Sequence, residues 1–172
     1  MDNFSEQLVV RNESTGDRAV KICVTLGIVL LVLFIIVIAV ALSESFPLIF
    51  SIAILLSSGC IYGLYRYITG TYIEYEYAVT NGEMDIDKIT GKRKRRRMIS
   101  LDVSKVEAFG KMSQAGEPGN VTTVLASARN ADEDYYADFM HDDYGKVRLI
   151  FTPNEKTLNA IYPFLPAAIR KR

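Results

Sequence analysis

Six consecutive cations, Lys92-Arg93-Lys94-Arg95-Arg96-Arg97, are the densest chemistry-bearing feature of this chain. Such side chains carry only hydrogen-bond donors and positive charge, which suits phosphate and carboxylate groups. Beside a membrane, each cation adds about 1 kcal/mol of attraction to anionic lipid. A second polar feature is Asp132-Glu133-Asp134 with Asp138, His141, Asp142 and Asp143, which includes the only histidine. Its spacing fits neither an EF-hand loop nor a zinc signature, so it reads as solvated hairpin tips and not as a metal site. The chain has no G-x-S-x-G, P-loop, H-E-x-x-H or G-x-G-x-x-G, and no nucleophile is suggested as a partner for His141. The expectation is a protein that is not an enzyme, with no catalytic residues, no metal and no cofactor.

Composition narrows the partners only a little. Twenty basic residues balance 20 acidic ones, so net charge names none. No nucleic-acid motif accompanies the basic run, and nucleic acid is not expected. Cys23 and Cys60 both lie in apolar stretches, which argues against a disulfide framework and for inert packing residues.

Two apolar runs must position the rest. Ile22–Leu42 and Phe46–Tyr65 contain no Asp, Glu, Lys, Arg or His. At ~1.5 Å per residue each helix would be ~30 Å long, about one hydrocarbon core. Ala39-Val40-Ala41 has the look of a signal-peptide cleavage site. The acidic residues Asp2, Glu6, Glu13 and Asp17 ahead of it, and the second run directly after it, argue against cleavage. Residues 20–68 are therefore expected to be a transmembrane hairpin behind an N-terminal segment, 1–19. Arg11, Arg18 and Lys21 precede the first span, Arg66 follows the second, and Ser43-Glu44-Ser45 carries no cation. The positive-inside rule then puts both termini in the cytoplasm. Ser45 is placed to cap the second helix, with Pro47 in its first turn. Gly59 and Gly63 form a G-x-x-x-G face that lets helices approach closely. Packing on the first span near Gly27 is favoured, and a homo-oligomer through the spans is the alternative.

From Thr71 the pattern turns to β. Ile73, Tyr75, Tyr77 and Val79 alternate with polar or small residues, and Asn81-Gly82 is a strong hairpin signal. Strands follow near 84–87, 95–101, 105–112, 121–128, 135–140 and 146–151. Thr152-Pro153-Asn154-Glu155 reads as a capping box with Thr152 as N-cap. Leu158, Ile161, Tyr162 and Leu165 give the closing helix its apolar stripe, which ends near Tyr162 because Pro163 follows. Residues 71–166 would form this domain and 167–172 a basic tail.

If Thr90-Gly91 is a two-residue loop, Asp87 faces Lys94 and Asp85 faces Arg96, while Glu76 faces Asp87. Opposite charges across a sheet contribute ~0.2–1 kcal/mol each. Half of the cations must then share a face with Ile86 and Tyr77, unless a bulge shifts the register or Arg95 or Arg97 stacks on Tyr75 or Tyr77. The first strand runs ~30 Å outward and the second returns, so the Thr90-Gly91 turn should lie near the lipid again. Sheet pairing and lipid contact both stay open for residues 92–97.

Tyr75-Glu76-Tyr77, Thr80-Asn81-Gly82-Glu83, Asp85-Ile86-Asp87-Lys88-Ile89, Ser100-Leu101-Asp102-Val103, Phe109-Gly110-Lys111 and Phe151-Thr152-Pro153-Asn154-Glu155 carry a resemblance. The chain resembles a bacterial family of two-span membrane proteins with a cytoplasmic pleckstrin-homology-like (PH-like) domain. The resemblance implies a seven-stranded antiparallel β-barrel or sandwich with a C-terminal helix, an α+β domain joined to a membrane α-hairpin. It carries no catalytic residues. The expected function is a non-enzymatic binding or scaffold module at the inner face of the bacterial plasma membrane. Lys92–Arg97 would contact anionic lipid, and a protein partner is undefined. The alternative is a structural or regulatory subunit of a larger complex assembled through the spans.

Overall fold

The computed structural model describes residues 4–44, 46, 48–117, 119–130 and 132–170. They fall into two compact units, one of Glu13–Tyr72 and one made from the segments on either side of it.

The first unit is a pair of helices, α1 (Thr15–Leu42) and α2 (Leu48–Thr71). α1 begins well before the uncharged run because Ser14 caps it. The Ser14 hydroxyl accepts from the Gly16 N–H, and the Asp17 carboxylate accepts from the Ser14 N–H. Both helices are long and apolar enough to cross a membrane, and only 6% of each apolar window is buried. A core helix of a water-soluble bundle would be mostly buried, so these apolar surfaces need lipid or another apolar cover. Where the two helices meet, small residues are used: Ala39, Ala53 and Ser57 are the buried ones. The predicted cap Ser45 and first-turn Pro47 lie outside the described residues.

The second unit holds two four-stranded sheets. One has the order β1-β2-β3-β4 and the other β5-β7-β8-β6. The strands are β1 (Phe4–Val10), β2 (Ile73–Thr80), β3 (Glu83–Thr90), β4 (Lys94–Asp102), β5 (Val106–Lys111), β6 (Thr122–Ala126), β7 (Tyr135–His141) and β8 (Gly145–Phe151). One apolar core joins both sheets, with Tyr77, Met84, Ile86, Leu149 and Phe151 nearly or fully buried. Tyr77 and Phe151 meet edge to face at 5.7 Å. Asn81 and Gly82 are both left-handed, as the β2–β3 hairpin turn requires.

This corrects the seven-stranded antiparallel expectation. All seven expected strands form, but an eighth, β1, comes from the N-terminal segment and pairs with β2 from Phe4↔Thr80 to Val10↔Glu74. β6 also runs parallel to β8. β7 takes one edge of β8, and the chain between β6 and β7 is long enough to leave β6 on the other edge with its direction unreversed.

α3 (Glu155–Ile161) packs behind β1 and β2, and α4 (Ala167–Arg170) ends the described chain. The cap of α3 is Asn154, whose side chain accepts from the Thr157 N–H at 2.8 Å. Thr152 is engaged elsewhere: its hydroxyl accepts from the Ala128 N–H at 2.8 Å and donates to buried Asp134 at 2.7 Å. Gln7 of β1 holds this corner. Its amide donates to the Thr152 carbonyl at 2.9 Å, and its oxygen accepts from the Asn154 N–H and the Thr157 hydroxyl, each at 2.8 Å.

Candidate functional site

The basic run enters the sheet through a turn and a bulge. Gly91 and Lys92 are both left-handed, and the Arg93 N–H donates to the Thr90 carbonyl. Three residues, not two, therefore close the β3–β4 hairpin, and the pairs are Thr90↔Lys94, Ile89↔Arg95, Lys88↔Arg96 and Asp87↔Arg97. The register then shifts, so that Ile86 faces Ile99 and Met98 is the extra residue. The predicted Glu76–Asp87 opposition is present. The predicted Asp87–Lys94 and Asp85–Arg96 oppositions are not, because the loop is longer and the bulge intervenes.

The bulge decides which cations meet carboxylates. On the outer face, Arg95 pairs with Glu76 and lies 3.5 Å from Asp87. Arg97 lies 2.9 Å from Asp85 and 3.5 Å from Asp87. Ser100 donates to Asp85 beside them. Arg95 and Arg97 therefore point away from Tyr75 and Tyr77, so of the alternatives the bulge is the one present and stacking is not. Lys94 and Arg96 share the other face with Lys88 and Tyr75. Lys94 and Arg96 are exposed and Lys88 is half-buried. Among the described residues, the side chains of Lys88, Arg93, Lys94 and Arg96 make no salt bridge. Lys88 escaped the sequence reading because it lies outside the run; only the register shows that it opposes Arg96.

The acidic tract disperses. Asp134 is buried against Thr152, and Asp132 and Glu133 are exposed. Asp138 takes a two-pronged contact from Arg148, 2.7 Å on both oxygens, and Arg148 also donates to the Gly116 carbonyl at 2.7 Å. The Arg148 guanidinium lies 5.1 Å over the Tyr136 ring. The Asp143 N–H donates to His141 Nδ1 at 3.1 Å. Among the described residues, no three His, Cys, Asp or Glu gather as metal ligands would. The Asp138–Arg148 pair was findable, since both residues sit symmetrically about the His141–Gly145 turn.

Gly59 and Gly63 do not pack on α1. Both are exposed, and a Cβ added to either, or to Gly27, would meet nothing within 4 Å. The helix contact uses Ala53 and Ser57 instead. A cleft of about 720 Å³ follows the free edge of β5 and is lined by Phe109, Lys111, Tyr136, Tyr162 and Arg170 among others.

No match was found among curated proteins or solved structures. The family described as Bacterial PH-like domain (DUF6106) matches residues 1–171, a span that takes in both apolar helices and all eight strands. The chain belongs to this bacterial PH-like family.

Proposed function

We propose that the protein is a membrane-anchored, non-enzymatic PH-like binding or scaffold module. It sits in the bacterial plasma membrane with both termini cytoplasmic, and its basic β3–β4 end meets anionic lipid. One observation carries this reading. The Arg11 N–H donates to the Ile73 carbonyl at 3.0 Å, Ile73 opposes Thr90, and Thr90 opposes Lys94. The chain leaves the β unit for α1 just after Arg11 and returns from α2 at Ile73. Both covalent links to the apolar helices therefore leave from the row of the sheet that ends at the basic turn. Cations held within about one Debye length, 8–10 Å, of headgroups feel anionic lipid.

The test is a fluorophore at Arg93→Cys in a chain with Cys23→Ala and Cys60→Ala, reconstituted in nanodiscs with headgroup-quencher lipid. Quenching rises when phosphatidylglycerol replaces part of the phosphatidylcholine. Equal quenching in both would refute a contact with anionic lipid. A second reading, a subunit assembled through α2, is favoured by the open Gly59/Gly63 face. Gly59→Leu with Gly63→Leu then lowers the assembled mass in detergent, and an unchanged mass refutes it.

A further inference from the structure

We infer that the Met98 bulge divides the basic run into a structural pair and a phosphate clamp. Lys88, Lys94 and Arg96 hold the phosphate of an anionic lipid headgroup, while Arg95 and Arg97 hold the sheet. This rests on the lipid-facing reading above and specifies which residues perform it.

The charges are segregated by face. The outer face of β2–β4 carries Glu76, Asp85 and Asp87 against Arg95 and Arg97, so both arginines there are already paired with carboxylates. The inner face at the basic end shows the rows Val9–Tyr75–Lys88–Arg96 and Ile73–Thr90–Lys94, which contain no acid. Lys88 and Arg96 are directly opposed, which puts their Cβ atoms about 4.5–5.5 Å apart. Like charges so placed destabilise a sheet, and Lys88 is half-buried with no partner among the described residues. A phosphate between them turns that repulsion into attraction. The planar Arg96 fork suits two of its oxygens, and Lys88 and Lys94 add point charges. Bound anion then stabilises the unit by mass action.

The test uses the full chain in nanodiscs and reads hydrogen exchange at residues 84–101. Wild type gains about tenfold protection on going from zwitterionic to phosphatidylglycerol discs, as expected when headgroups exceed Kd about tenfold. Lys88→Gln with Arg96→Gln abolishes that gain and raises basal protection in zwitterionic discs, because the repulsion is gone. Arg95→Gln with Arg97→Gln lowers basal protection and keeps the gain. The division is overturned if the Lys88/Arg96 variant keeps the gain, or if its basal protection falls. No gain in wild type would instead overturn the lipid-facing reading itself. Inorganic phosphate added to zwitterionic discs should protect weakly; protection equal to that of phosphatidylglycerol would make free phosphate the ligand and overturn the lipid assignment.

Discussion

Replacing Gln7 by Ala tests whether the N-terminal strand is integral to the β unit. The Gln7 side chain makes three hydrogen bonds to the Thr152–Thr157 corner, at 2.9, 2.8 and 2.8 Å. Each contributes about 1 kcal/mol net. Asn154 is exposed, so water recovers part of one bond, and the expected loss is about 2–3 kcal/mol. Unfolding of the helices would mask this in a bulk melt, so local hydrogen exchange in β8 and α3 is the suitable assay. Protection there should fall roughly 30- to 150-fold, at about 1.4 kcal/mol per decade. Glu6→Ala, exposed on the other side of the strand, should change stability by under about 0.5 kcal/mol. A Gln7→Ala effect as small as that of Glu6→Ala would mean that β1 merely rests on the sheet. It would refute the claim that residues on both sides of the helical pair build one unit. By the same reasoning, a fragment starting after α2 should fold poorly.

Tyr77 gives a pH signature. Burial, the largest cause, pushes its hydroxyl well above the usual tyrosine value near 10. Its O–H donates to the Ala126 carbonyl and accepts from the Thr152 N–H. A raised folded value means that the contribution is full below pH ~10 and is lost as pH rises through the folded value. Tyr77→Phe should cost about 1–3 kcal/mol at neutral pH and flatten the decline in stability above pH ~10; denaturant titrations followed by a probe in the β unit, in which the variant loses as much stability between pH 8 and 11 as wild type, would contradict this. Arg148→Lys keeps the charge but loses the fork on Asp138 and the Gly116 contact. A loss of about 2 kcal/mol is expected by local hydrogen exchange in β7 and β8, and a loss below about 0.5 kcal/mol would mean that charge alone suffices.

What the sequence reveals follows from periodicity. The β2–β3 hairpin was legible because Asn81-Gly82 sets its turn and Tyr75, Tyr77 and Val79 alternate inward. β1 was not, because its pattern is inverted: Ser5, Gln7 and Val9 point inward while Phe4, Leu8 and Val10 are exposed. A polar inward face is recognisable only once its partners, Thr152 and Thr157, are known. The register of β4 was equally hidden, since six like residues carry no alternation and the bulge at Met98 leaves no local mark. Thr152 looked like a helix cap because its demands from Ala128 and Asp134 arise from distant strands. G-x-x-x-G spacing reports a smooth face but not which neighbour uses it; Ala39, Ala53 and Ser57 occupy that role instead. The candidate site was thus legible as a charge run split between two faces, but with Lys94 and Arg96 set against the acids; the longer loop puts Arg95 and Arg97 there instead.

The basic end of the β unit as a surface for anionic lipid is best tested by phosphorus–nitrogen dipolar dephasing in proteoliposomes with labelled Lys and Arg side chains. A charge-assisted N–H···O contact of about 2.8 Å places lipid phosphorus within about 4 Å of those nitrogens. Dephasing that rises on going to phosphatidylglycerol membranes, with the rise lost in Lys88→Gln/Arg96→Gln, is the predicted result. A rise of the same size in wild type and in that variant, or no rise in wild type, would contradict the account.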